Sequence, residues 1–210
     1  MRELLQVHLQ DRQYRAMLTR YHFVEHDLEQ LKQIGGLVES EASPAIYYDV
    51  IGENVAVADV RDSAVKTERV AVIVTLGSGV DELQDRYMLR ERLTEGYMVE
   101  CVSMELLRLA YEQAAEHIHE RLGGWMSDFQ FVGDQIPYEH MEEIFEYLGP
   151  QDVSYNEAYM LSPKKTVVFL TNLCDERADS YCHICEDCTN LTCQNRNLTY
   201  GFQRIFGERG

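Results

Sequence analysis

The sequence predicts an α+β fold, a single domain with a mostly antiparallel sheet and flanking helices. Three observations lead there. An amphipathic helical pattern comes first, short runs rich in Val, Ile and Tyr follow it, and a long helical stretch then gives way to two strand-like runs near the end. Strands and helices are grouped instead of alternating one for one, which argues against a doubly wound parallel sheet. At 210 residues the chain can bury a sizeable core without disulfide staples.

Over residues 11–34, Tyr14, Met17, Tyr21, Val24, Leu28 and Leu31 recur at alternating gaps of three and four. That spacing predicts one amphipathic helix, stopped by Gly35 and Gly36. With only about three heptads it is expected to pack on its own domain, not in a zipper. Runs 45–51, 54–60 and 69–76 predict three strands. The third, RVAVIVTL, is almost continuously apolar and so is expected at the buried centre of the sheet. Gly77-Ser78-Gly79 after it has the look of a phosphate cradle. Glu82, however, stands where a dinucleotide fingerprint has its third glycine, and a carboxylate there would repel a pyrophosphate. A tight turn is the reading that remains.

Residues 80–122 are patterned as helix, with a restart near Thr94. Cys101 falls inside the apolar pattern and is expected to be a buried, inert thiol. His117 and His119, two residues apart on a helix, diverge and cannot share one ion. Gly123, Gly124 and Trp125 open a stretch to Gln135 that is expected to be irregular. Pro137 then opens a short helix to Leu148, ended by Gly149-Pro150. Residues 153–161 and 166–173 predict a hairpin turning on Ser162-Pro163-Lys164-Lys165. The chain thus divides into an N-terminal helical segment (1–40), an α+β core (41–176) and a Cys-rich tail (177–210).

A formal net charge of −17 repels phosphate backbones and anionic lipid surfaces, which excludes nucleic acid and membrane as expected partners. The N-terminus is charged and polar, and no run approaches the length of a membrane span. The expectation is a soluble, cytoplasmic chain with reduced thiols.

Cys182, Cys185, Cys188 and Cys193 lie in the run CHICEDCTNLTC, a C-x2-C-x2-C-x4-C spacing. Thiolates this close converge readily on a metal, as zinc or as an iron–sulfur cluster. Surface thiols or a loop disulfide are the alternatives. The gap of four and the missing proline depart from the ferredoxin run, and Cys174 or His183 could supply a ligand.

The segment NEAYMLSPKKTVVF resembles the stretch of cobalamin-dependent methionine synthase activation domains that reads Thr-Glu-Ser-Phe/Tyr-x-Met/Leu-x-Pro-x-x-Ser-Val. Glu157, Tyr159, Pro163, Thr166 and Val167 fill the matching places, with Asn156 where threonine is usual. RVAVIVTLGSGVDELQDRYML is similar to small stand-alone relatives of that domain. Cys182, Cys185, Cys193 and Arg196 match the short Cys-x2-Cys…Cys…Arg end that several of those relatives share. The likeness runs from about Ala45 onward.

The resemblance implies a C-shaped α+β domain around a twisted antiparallel sheet. It implies an accessory protein that binds S-adenosylmethionine and docks on a corrinoid methyltransferase or its cobalamin module. There an electron and a methyl group return cob(II)alamin to methylcobalamin, so the chain would belong to a methionine synthase-type methyltransferase system. The family's ligand segment Arg-Pro-x-x-Gly-Tyr-Pro is best matched by Arg121-Leu122-Gly123-Gly124-Trp125, which lacks the proline and the Gly-Tyr pair. Arg121 and Trp125 take the arginine and aromatic places. Glu157 fits the glutamate near the ligand, and Tyr181 falls where an aromatic pair is usual. A guanidinium suits the ligand's carboxylate, and aromatic faces and carboxylates suit its sulfonium. An iron–sulfur centre could relay the electron, whereas zinc could only staple the tail. The Asp-x-His-x-x-Gly loop of corrinoid carriers is absent, so any cobalamin belongs to the partner. Two alternatives stand beside this reading: a non-catalytic, metal-stapled docking module, and a small iron–sulfur electron carrier. No serine elbow and no HExxH occurs, which leaves no sign of a hydrolase.

Overall fold

RVAVIVT forms the middle strand of a five-stranded antiparallel sheet. This strand, β3 (Arg69–Thr75), lies between β2 (Ala45–Val50) and β7 (Thr166–Cys174). β1 (Arg2–Leu4) continues the sheet beyond β2, and β4 (Trp125–Phe131) continues it beyond β7, giving the order β1-β2-β3-β7-β4. Both faces of β3 are covered, which is why its sequence lacks a polar alternation. The computed structural model describes residues 2–51 and 68–177. The strand expected at 54–60, Tyr181 and the cysteine run lie outside them.

Strand side chains alternate between two cores. Ile46, Tyr48, Val70, Val72 and Val74 face a helical layer made of α1 (Asp11–Arg20), α2 (Leu28–Glu41), α3 (Gly79–Leu89) and α4 (Leu93–Leu122). Tyr47, Ala71, Ile73, Val168 and Leu170 face a thinner layer. It holds α5 (Met141–Leu148) and a two-stranded ribbon of β5 (Ser154–Tyr155) and β6 (Leu161–Ser162). The N-terminal helices share the larger core, so the described residues make one mixed α+β domain.

Four expectations are corrected. The helix expected at 11–34 is two helices, parted at Tyr21 and at His22, whose φ is 59°. Gly35 and Gly36 do not stop the second. A Cβ on Gly35 would lie 2.0 Å from the Tyr14 hydroxyl, so glycine there lets α1 press against α2, and the helix runs on to Glu41. The stretch 123–135 is not all irregular, since it contains edge strand β4. That strand is kinked at Asp128 (φ 51°), where its pairing with β7 shifts register. Residues 153–161 do not form the hairpin partner of β7. Only Ser154–Tyr155 is extended there, and it pairs with β6, while β7 pairs with β3 and β4. The helix restart expected near Thr94 appears as the turn between α3 and α4.

Candidate functional site

A hollow of about 340 Å³ opens at the start of β7, on the thinner side of the sheet. Phe131 and Val132 bring the end of β4 to it, and Thr166, Val167 and Val168 bring β7. Tyr138, Met141, Tyr159, Leu161 and Lys164 complete the wall. Its volume falls in the range of small-ligand clefts.

Two tight turns aim the tyrosines. After Phe131 the chain folds back on itself: the Ile136 N–H donates to the Phe131 carbonyl (3.1 Å), the Gly133 N–H to the Ile136 carbonyl (2.7 Å), and the Phe131 N–H to Gln135 Oε1 (2.9 Å). Gly133 sits at φ +89°, and the Tyr138 ring occupies the space its Cβ would take. On the opposite wall, Asn156 Oδ1 accepts the N–H groups of Ala158 and Met160, both at 3.0 Å. The Tyr159 N–H donates to the Asn156 carbonyl (2.8 Å). This turn holds Tyr159 in the left-handed region, at φ 58°. Its ring stacks on Tyr138 (5.3 Å, 16°) and on Tyr155 (5.9 Å, 14°), and Tyr155 meets Phe145 edge-on at 4.8 Å. Burial, then the Glu142 carboxylate, pushes the Tyr155 phenol above its usual range, so it stays neutral.

Charge enters through Lys164. Its backbone N–H donates to Asp81 Oδ2 (2.7 Å), and its ammonium reaches Asp85 Oδ1 at 3.4 Å. The next residue, Lys165, is buried and donates to both oxygens of Glu100, at 2.9 and 2.8 Å, anchoring the turn to α4. Thr166 is fixed by its hydroxyl contact with Thr75 (2.7 Å). The hollow therefore offers aromatic faces and an apolar floor, and Lys164 lines it while its ammonium pairs with Asp85. That set suits a small ligand with a flat or cationic part and an anionic end.

The residues expected to grip a ligand do not come together. Tyr159 lines the hollow, and Glu157 projects into solvent from the same turn. Arg121, at the end of α4, pairs with Glu3 Oε1 at 3.7 Å. Glu3 is opposite Ile46 in the sheet and so faces the helical layer, across the sheet from Glu157. Trp125 starts β4 beside Cys174, at the far end of β7 from Thr166. Eight strand rises separate those ends, about 27 Å. Both faces of Trp125 are taken, by the stacked ring of His119 (3.7 Å, 10°) and by the Arg177 guanidinium (4.8 Å). His117 accepts from or donates to the Tyr48 hydroxyl at 3.2 Å, so the two histidines do diverge.

Sequence reasoning passed over Tyr138, Met141, Lys164, Phe131 and Val132. One signal pointed to the Tyr138 wall: a glycine five residues before a tyrosine in GDQIPY. Cys101 is buried as expected, and burial pushes its thiol up to about 12. No group of three or more His, Cys, Asp or Glu able to hold a metal occurs among the described residues. No described helix is long and apolar enough to cross a membrane.

No family model matches the chain, and no curated protein matches it in sequence. Among solved structures, it is similar to the MetH reactivation domain bound to AdoHcy. The two are 12% identical with a TM-score of 0.48, over 81% of this chain and 78% of that one.

Proposed function

We propose that the chain binds S-adenosylmethionine in the hollow at the start of β7 and serves as an accessory protein in the reductive reactivation of a corrinoid methyltransferase. One observation carries this reading. The segment that resembles the activation domains, NEAYMLSPKKTVVF, supplies Tyr159, Leu161, Lys164, Thr166, Val167 and Val168, six of the ten residues that line the hollow. The aromatic faces of Tyr138 and Tyr159 suit a sulfonium or an adenine, and the Lys164 ammonium suits the ligand's carboxylate. Bound there, S-adenosylmethionine would supply the methyl group, while cobalamin would remain on the partner.

Titration calorimetry with S-adenosylmethionine and with S-adenosylhomocysteine tests it. Binding should weaken at least about tenfold in Tyr159→Ala and in Lys164→Ala. It should be unchanged in Arg121→Ala and Trp125→Phe, which lie at the other end of the domain. No binding at millimolar ligand would sink the proposal. A second reading, a docking module without a ligand, draws on the separation of Arg121 from Glu157. It predicts that null titration together with a retained complex with a corrinoid protein. The cysteine run, as an iron–sulfur or zinc site, belongs to either reading.

A further inference from the structure

Four of the ten large apolar side chains that the described residues expose lie where α3 turns into α4. Leu89 is 86% exposed, Leu93 62%, Met88 47% and Tyr97 46%. They neighbour one another at the turn. Leu93 and Tyr97 are one turn apart on α4, Tyr97 meets the Phe23 ring at 5.6 Å, and Met88 lies over Gly96. The turn is firmly built. The N–H groups of Arg90 and Arg92 donate to the Tyr87 carbonyl, and that of Glu91 to the Met88 carbonyl, all within 3.1 Å. Glu91 closes it in the left-handed region at φ 57°. Leu89 is thus held outward by a rigid elbow, and an apolar patch of this kind on a charged protein marks an interaction surface.

Charge selects the occupant. The chain carries −17, yet residues 86–97 hold three arginines and two glutamates. Arg86 pairs with Glu41, and Arg92 with Glu95. Arg90 and Glu91 are exposed and have no partner among the described residues. Elsewhere two copies of so acidic a chain repel each other, whereas here opposite charges sit side by side on one patch. A two-fold axis through it sets Arg90 of each copy against Glu91 of the other around a shared apolar centre, the self-complementary arrangement that a symmetric dimer needs.

We infer that the α3–α4 elbow is the interface of a symmetric homodimer. This stands apart from the ligand reading, because none of the patch residues lines the hollow. Sedimentation velocity on the full chain, from low micromolar to submillimolar, should show a species of twice the 24.4 kDa chain mass. Leu89→Glu should raise the dissociation constant at least about tenfold with an unchanged circular dichroism spectrum, since the side chain is exposed. Arg90→Glu and Glu91→Arg should each weaken the dimer, and the two together should restore it. A monomer at every concentration, a dimer indifferent to Leu89→Glu, or a double reversal that stays dissociated would each overturn the inference.

Discussion

Gly133→Ala tests how the hollow is held open. At φ +89°, an alanine Cβ would lie 2.4 Å from Tyr138 Cζ and 2.5 Å from its Cε1 and Oη. Ordinary contact begins near 3.4 Å, so the ring has to withdraw by about 1 Å. Tyr138 is 46% exposed and can swing into solvent, which gives up its stack on Tyr159. That stack contributes about 0.5–1.5 kcal/mol, and placing alanine at a positive φ costs about 1–2 kcal/mol. The variant should therefore lose roughly 1.5–3.5 kcal/mol, a fall in Tm of roughly 3–14 °C for a domain of this size. Gly149→Ala supplies the control. Gly149 is also left-handed (φ +57°), but nothing lies within 4 Å of its Cβ position, so only the backbone cost of about 1–2 kcal/mol applies. Thermal melts with and without S-adenosylmethionine separate the two. Both variants should melt earlier, and only Gly133→Ala should also lose ligand-induced stabilisation. If the two fall by the same amount and bind ligand alike, Tyr138 is not a wall that Gly133 positions.

Four further outcomes are expected. Lys165→Met should cost about 1–3 kcal/mol in chemical denaturation, below the range of about 3–5 kcal/mol for broken buried pairs because Glu100 keeps 35% exposure; adding Glu100→Gln should recover part of it. Glu105→Ala should cost more, about 3–5 kcal/mol, because the 3% exposed carboxylate holds both Arg20 and Arg108. Stability should decline as pH rises above about 9: burial lifts Cys101 from 9.0 and Tyr14 from 10.0 to about 12 each, so their contribution is whole below the unfolded values and is lost as pH approaches 12. In melts across pH 8–12, Cys101→Ala should delay the onset of that decline, and an unshifted onset would refute the assignment to Cys101. Anaerobically purified protein should carry metal that is reduced in Cys182→Ser and Cys185→Ser, read by elemental analysis; metal-free wild-type protein would remove the cluster from the proposal.

Much of the fold was legible because it rests on strong local patterns. RVAVIVT can be little other than a strand covered on both sides, and the 30 residues of α4 carry an unbroken helical period. The failures came where tertiary contacts outweighed local signals. Gly35 and Gly36 carry the mark of a helix stop, yet the hydroxyl of Tyr14, 21 positions earlier, requires that gap inside a continuing helix. β4 reads as a loop because Asp128 interrupts its alternation, and the bulge makes sense only beside the long partner β7.

The candidate site shows the same division in sharper form. The motif NEAYMLSPKKTVVF lines one wall of the hollow, because its side chains lie in consecutive residues that travel together however the chain folds. Arg121 and Trp125 were joined to it by their partial match to the segment Arg-Pro-x-x-Gly-Tyr-Pro, and such a match does not constrain which face of a sheet a helix end reaches. The register does: Glu3 pairs opposite Ile46, so the guanidinium that meets Glu3 must lie with the helices, away from the β5–β6 ribbon. The opposite wall, Phe131 to Met141, could be placed only once Gly133 was seen to make room for Tyr138. A ligand drawn into this hollow would thus be gripped by two turns, each fixed by one residue, Gly133 or Asn156, whose own side chain need never touch it.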